Sequence, residues 1–270
     1  MLFPIFVVQN ATYNELINGK KIGIRRTVCQ SDARNGEKDS MKVAVLSGAS
    51  RGLGYCLAHV LAQEGYALAL GARSRAALES LTGQLKAPFL AEYLDVGNPE
   101  SVYHFSRKVI SHFGRVDVLV NNAGIGAFKR LEEFSLEEFD QLFDVNVRGA
   151  WLLSQAFLGM LKKTRGLLIM VSSDVSCRVF PTGGPYSATK AALRAIGRTF
   201  QLENPDIRML ELRPGRMDTW FFGSPPGGEG SHTALRPEVV GEVFRSALRL
   251  PPEARLEELV IRSSNQVVEY

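Results

Sequence analysis

The chain has 270 residues, of which 45% are apolar and 22% charged, with a formal net charge of +4. That is the make-up of an ordinary soluble protein long enough to bury a full core. The basic residues are spread along the chain rather than gathered into a stripe, so nothing points to nucleic acid. No stretch has the apolar length of a membrane helix. Cys29, Cys56 and Cys177 are odd in number and lack metal-like spacing, which suits a reducing compartment. A cytoplasmic, metal-free protein of small-molecule chemistry is the expectation.

Residues 1–40 show no sustained period. They carry the basic pairs Lys20-Lys21 and Arg25-Arg26 and end in the polar run Ser31 to Ser40. The leading Met1 to Val8 is apolar but lacks a basic leader and is too short to span a bilayer. We read 1–40 as an N-terminal extension, disordered or an ordered arm, and 41–270 as a single domain. From Met41 short Val/Leu/Ala-rich runs alternate with runs of helical period. Strands are expected at Val43–Ser47, Ala67–Gly71, Phe89–Leu94, Val116–Val120, Leu167–Val171, Arg208–Leu212 and Leu259–Ile261. Helices are expected near 52–64, 75–86, 99–112, 136–163, 185–204 and 237–249. Apolar strands separated by helices predict an α/β fold: a doubly wound parallel sheet of Rossmann type in three layers, α/β/α. The run from Phe221 to Leu235 is too rich in Gly and Pro for regular structure and reads as a lid or binding loop, or else as disordered.

The chemistry-bearing residues fall at the carboxyl ends of the strands, where ligands bind in such sheets. After the first strand, Ser47-Gly48-Ala49-Ser50-Arg51-Gly52-Leu53-Gly54 opens a helix, so free N–H groups and the positive end of the dipole can meet a phosphate. After the second strand, Gly71-Ala72-Arg73-Ser74 offers no acid for a free ribose 2′-hydroxyl. Arg73, with Arg51, suits the 2′-phosphate of NADP(H) over NAD(H). Tyr186 and Lys190 are four apart on a predicted helix, on one face. A lysine ammonium there would favour the phenolate and bring the tyrosine toward neutral titration, making a general acid/base.

Together these residues resemble the short-chain dehydrogenase/reductase family of the single-domain type, in detail over 41–219. The family opens its glycine motif with Thr where this chain has Ser47. The resemblance implies that Asp95-Val96 contacts adenine and that Asn122, Ala123 and Gly124, within Asn121-Asn122-Ala123-Gly124, lie beside the cofactor. It implies that Pro214, Gly215 and Thr219 close on the nicotinamide end. It assigns a catalytic tetrad of Asn146, Ser173, Tyr186 and Lys190, with Ser173 thirteen residues before Tyr186. Ser173 would hold the substrate carbonyl, Tyr186 would exchange the proton, Lys190 would also hold the nicotinamide ribose, and Asn146 would anchor a relay water. Ser172 is expected to point away from Ser173, since strand side chains alternate.

Val175, Val179, Phe180, Trp220, Phe221 and Phe222 are expected to wall the substrate, with Arg213 and Arg216 able to meet a carboxylate. Cys177 is expected as a pocket residue or a small buried hydrophobe. The implied activity is NADP(H)-dependent interconversion of a carbonyl and a secondary alcohol. The substrate would be a small ketone, a 3-hydroxy acid or a 3-oxoacyl compound. A homodimer or homotetramer joined through the two long helices is implied. A non-catalytic NADP-binding regulator on the same fold is the alternative. A Ser-based hydrolase is set aside on the expectation that the chain has no Gly-x-Ser-x-Gly elbow.

Overall fold

The computed structural model describes residues 41–223, 225–228 and 230–266. The expectations for residues 1–40 lie outside the described residues. The strands are β1 (Val43–Ser47), β2 (Ala67–Ala72), β3 (Phe89–Tyr93), β4 (Val118–Asn121), β5 (Leu167–Val171), β6 (Arg208–Pro214) and β7 (Glu258–Ile261). The helices are α1 (Gly52–Gln63), α2 (Arg75–Thr82), α3 (Pro99–Phe113), α4 (Leu136–Phe143), α5 (Gly149–Thr164), α6 (Gly184–Glu203) and α7 (Pro237–Leu248). The strands form one sheet in the order β3-β2-β1-β4-β5-β6-β7, with every pairing parallel. The doubly wound α/β/α architecture is therefore as expected. No helix among the described residues is long and apolar enough to cross a membrane.

The sequence explains why these strands lie in the middle. β1, β2, β4 and β5 are buried at every position, and burying a Val or Leu side chain stabilises by about 1.5–3 kcal/mol. Edge strand β3 instead exposes Phe89 and Tyr93. On one side of the sheet Leu57, Leu61 and Phe244 pack against Leu46, Leu68 and Leu210. Helix boundaries follow capping chemistry. Asn98 Oδ1 accepts from Glu100 N at 2.9 Å before Pro99, and Gly114 closes α3 in the left-handed region. Ser135 and Glu138 cap α4 reciprocally.

Strand order reverses direction between β1 and β4, which opens a crevice at their carboxyl ends. Ser47 ties the two strands there. Its Oγ donates to Val120 O at 3.3 Å and accepts from Asn122 N and Ala123 N, each at 3.1 Å. The substitution of Ser for the family's Thr keeps the hydroxyl these bonds need.

Two expected elements differ. The helix expected over 136–163 is divided by a π-helical turn, Asp144–Arg148, that separates α4 from α5. Periodicity averages over such a one-turn insertion, and π turns recur at functional sites. The run Phe221–Leu235 holds more order than its composition suggests. Short 3-10 turns lie at Trp220–Phe222 and Ser231–Thr233, and Met217 bridges to Leu235. On α5, Leu152, Leu153 and Phe157 are buried and Trp151 is exposed.

Candidate active site

A cleft of about 1220 Å3 runs over the carboxyl ends of the strands. Its floor is the turn from β1 into α1. Gly48 sits at φ +69°, and a Cβ there would come within 2.8 Å of Ala123 Cα. A Cβ on Gly54 would run into the Gly48 carbonyl oxygen. Asn122 Nδ2 donates to Ser47 O at 3.0 Å and Gly48 O at 3.1 Å, which holds the turn open. Arg51 at the N-cap makes no side-chain capping bond, and the first turn of α1 carries no acid. The helix therefore presents its positive end to the cleft, as phosphate binding requires.

Gly48, Ser50, Arg51, Gly52, Leu53, Gly54, Arg73, Asp95, Val96, Asn122, Ala123, Gly124, Pro214, Gly215 and Thr219 all line this cleft. So do Ser173, Tyr186 and Lys190. Arg51 and Arg73 are exposed, and their guanidinium groups make no hydrogen bond or ion pair among the described residues. Ser74 is committed to capping α2, its Oγ accepting from Ala77 N at 3.2 Å.

Asn146 departs from the set. It is 1% exposed and does not line the cleft. Its Oδ1 accepts from Ile125 N at 2.8 Å, and its Nδ2 donates to Ile125 O at 2.9 Å and Thr189 Oγ1 at 3.1 Å. It stands behind Gly124, where a Cβ would lie 3.2 Å from Asn146 Oδ1 and 3.5 Å from Lys190 Nζ. The π turn thus places the asparagine next to the lysine, across a residue with no side chain.

Ser173 and Ser172 point apart, as alternation along the strand requires. Ser172 Oγ donates to the buried Glu211 at 2.6 Å. Ser173 Oγ lies 3.3 Å from Asp174 Oδ1 and 3.5 Å from Pro214 O, and it hydrogen-bonds Tyr186. Lys190 Nζ donates to Val171 O at 3.1 Å and lies 5.7 Å from the centre of the Tyr186 ring.

The electrostatics correct the expectation for the tyrosine. Burial pushes the Tyr186 hydroxyl well above its ordinary value, the Ser173 hydrogen bond offsets part of this, and the Asp174 charge adds to it. Burial pushes the Lys190 ammonium down to about 8. Lys190 contributes no offsetting effect to this shift, so in this structure the tyrosine is displaced away from neutral titration.

Phe128 lies 5.3 Å from Tyr186 and 6.4 Å from Phe221 between ring centres, and Tyr186 lies 5.7 Å from Phe221. These rings wall the site, with Phe180, Val175 and Trp220. Phe128 was not legible in the sequence, since it sits in an irregular loop. Asp174 and Gln266 also line the cleft. The acid beside Ser173 was a signal that went unread, whereas nothing in the sequence marks Gln266. Val179 points to solvent, 77% exposed. Arg213 is buried against Glu258 at 3.1 Å, so it does not reach the cleft, while Arg216 does. Cys177 is exposed and off the cleft, its Sγ accepting from Arg194 Nη1 at 2.7 Å, so it is neither buried hydrophobe nor pocket residue. Gly48-Ala49-Ser50-Arg51-Gly52 has the Gly-x-Ser-x-Gly spacing, contrary to the ground on which a hydrolase was set aside. Ser50, however, has no histidine or carboxylate hydrogen-bond partner among the described residues, as a nucleophile needs.

Residues 42–225 match the model of the short chain dehydrogenase family. The chain belongs to the short-chain dehydrogenase/reductase family. It is an oxidoreductase of that family. An uncharacterized oxidoreductase from Staphylococcus epidermidis is 30% identical over 82% of this chain and 96% of its own length. Glycine betaine reductase of Emericella nidulans is 32% identical over 85% of this chain, which spans 19% of that larger protein. Among solved structures, an alcohol dehydrogenase from Thermococcus sibiricus complexed with 5-hydroxy-NADP is 50% identical. Its TM-score is 0.81, covering 85% of this chain and all of that one. The 3-ketoacyl-(acyl-carrier-protein) reductase of Brucella melitensis complexed with NADH is 26% identical, with a TM-score of 0.76 over 84% of this chain and 98% of that one.

Proposed function

We propose that this chain is an NADP(H)-dependent reductase of a small, apolar or aromatic carbonyl, with Tyr186 as general acid/base. The observation that carries the reading is the meeting of Ser173, Tyr186 and Lys190 in one cleft with two unpaired arginines and no acid at the end of β2. The turn Gly48–Gly54 would hold the pyrophosphate, Arg51 and Arg73 the 2′-phosphate, Asp95 and Val96 the adenine, and Lys190 the nicotinamide ribose. Pro214, Gly215 and Thr219 would close on the nicotinamide. When bound, the nicotinamide would supply or accept the hydride.

The chain's own residues then move the proton. Ser173 donates a hydrogen bond to the carbonyl oxygen and fixes its position. Tyr186 gives its proton to that oxygen as the carbon is reduced, and takes it back in the reverse direction. The nearby Lys190 charge favours the phenolate left behind. Asn146 holds the Ile125 backbone and Thr189 beside Lys190, as a relay through this corner would need. Phe128, Phe180 and Phe221 would offer an apolar substrate a matching wall, while Arg213 is engaged with Glu258 and leaves Arg216 as the arginine at the cleft that could meet a carboxylate. Assembly as a homodimer or homotetramer through α5 and α6, and a cytoplasmic location, belong to the same reading.

The test is NADPH oxidation with a panel of aryl and alkyl ketones. General acid catalysis contributes about 100- to 10,000-fold, and Tyr186→Phe should lose about that much in kcat. Unchanged turnover would refute the mechanism and favour a non-catalytic nucleotide-binding protein.

A further inference from the structure

The acid that follows Ser173 has no part in the proton chemistry above. Asp174 is 3% exposed, lines the cleft and carries a charge that must be paired where it is buried. Its Oδ1 faces the Ser173 hydroxyl at 3.3 Å. Its Oδ2 accepts from Arg178 Nη2 at 2.7 Å, Arg262 Nε at 3.0 Å and Gln266 Nε2 at 3.2 Å. Arg178 ends the 3-10 turn that begins at Asp174, whereas Arg262 and Gln266 belong to the segment leaving β7. One carboxylate therefore gathers the turn that carries Ser173 and a stretch of chain about ninety residues away.

Among the described residues that distant stretch has no other ion pair. No residue from Arg262 to Gln266 is buried, so no apolar core fixes it. Beyond Asp174 it is held by Arg216 N donating to Gln266 Oε1 at 3.1 Å and Asn265 Nδ2 donating to His232 O at 3.2 Å, while Gly215 N donates to Ile261 O at 2.8 Å just before it. Yet Asn265 and Gln266 form part of the cleft wall.

We propose that Asp174 is a positioning residue whose carboxylate latches the segment Arg262–Gln266 to the Ser173 turn and so sets the cleft wall against which the substrate seats. This rests on the reading of the cleft as a carbonyl-reducing site. Ser173 is oriented from one oxygen of the carboxylate while the other holds the wall, so the two move as a unit.

Two measurements on the full chain test this. The first is backbone hydrogen exchange, which needs no substrate. Asp174→Asn and Arg262→Met should each speed exchange across 262–266 while β1 and α6 keep their protection. The second is steady-state reduction of an aryl methyl ketone with NADPH. Arg262→Met should raise KM for the ketone about tenfold, with kcat within about twofold and KM for NADPH unmoved, because a displaced wall costs positioning. Arg262→Lys, which keeps the charge, should restore most of the loss. Asp174→Asn should lower kcat as well, since it also releases Ser173. The double variant should be no worse than Asp174→Asn, because both substitutions cut one interaction. Additive losses, or unchanged exchange at 262–266, overturn the proposal. Should Asp174→Asn fail to fold, the Arg262 pair still decides. A parent enzyme that reduces no ketone sinks the functional reading, and the exchange result still stands for or against the latch.

Discussion

Arg73→Ala separates the two cofactors most sharply. The guanidinium lies at the end of β2, exposed on the cleft, with no hydrogen bond or ion pair among the described residues. Its removal leaves no buried group unpaired, so the stability change should stay within about 0.5 kcal/mol. The interaction at stake is one charged group with a 2′-phosphate. At 4 Å a pair of unit charges is worth about 1 kcal/mol in bulk water and about 4 kcal/mol at an effective dielectric of 20. An exposed arginine lies between these limits, near the about 1.5–3 kcal/mol of a hydrogen bond to a charged group. That corresponds to about a 10- to 100-fold rise in KM for NADPH. NADH carries a neutral hydroxyl at the same place and should be nearly unaffected. The assay is kcat/KM for both cofactors at fixed ketone, at low and high salt, since screening should weaken only the phosphate contact. Adding Arg51→Ala should deepen the loss for NADPH, and Arg73→Glu should shift the preference toward NADH by supplying an acid for the ribose. Equal losses with both cofactors, or none with NADPH, would refute the assignment of these arginines.

Gly54→Ala forces a methyl group against the Gly48 carbonyl, a backbone atom that cannot turn aside; it should cost about 1–3 kcal/mol or more, read as a fall in Tm with loss of cofactor binding. Asn146→Ala breaks the bonds to Ile125 and Thr189, which should cost about 1–3 kcal/mol, measured by urea denaturation, together with a fall in kcat. Phe128→Ala opens the wall beside Tyr186 and should raise KM for aryl ketones more than for short alkyl ketones. Glu258, held by Arg194 and Arg198, has its carboxyl lowered to about 2. Its contribution to stability is complete above its ordinary titration range and is lost as pH falls toward 2, so Tm against pH should fall less steeply on the acid side in Glu258→Gln than in the parent.

The phosphate turn and the Tyr186/Lys190 pair were legible because each depends on local geometry. Glycines at fixed offsets after a strand, and residues four apart on a helix, keep their meaning without knowledge of the rest of the chain. Ser173 was legible through its family interval of thirteen residues before Tyr186, and alternation then turned Ser172 away from it toward Glu211. The π turn at Asp144–Arg148 was not, because one inserted turn does not disturb an apolar period enough to be seen. Phe128, Arg213 and Cys177 were missed or misjudged because their surroundings come from distant segments: Phe221 and Tyr186 for the first, Glu258 for the second, Arg194 for the third.

The sequence by itself determined the order of strands and helices, the phosphate loop, the absence of an acid after β2 and the presence of a tyrosine, lysine and serine in register. Those properties reside in neighbours along the chain. Tertiary structure alone decided the state of those groups. Burial, which no spacing encodes, pushes Tyr186 above its ordinary value and lowers Lys190. The wall around them is assembled from Phe128, Phe221 and Gln266, residues that meet only after the sheet has folded.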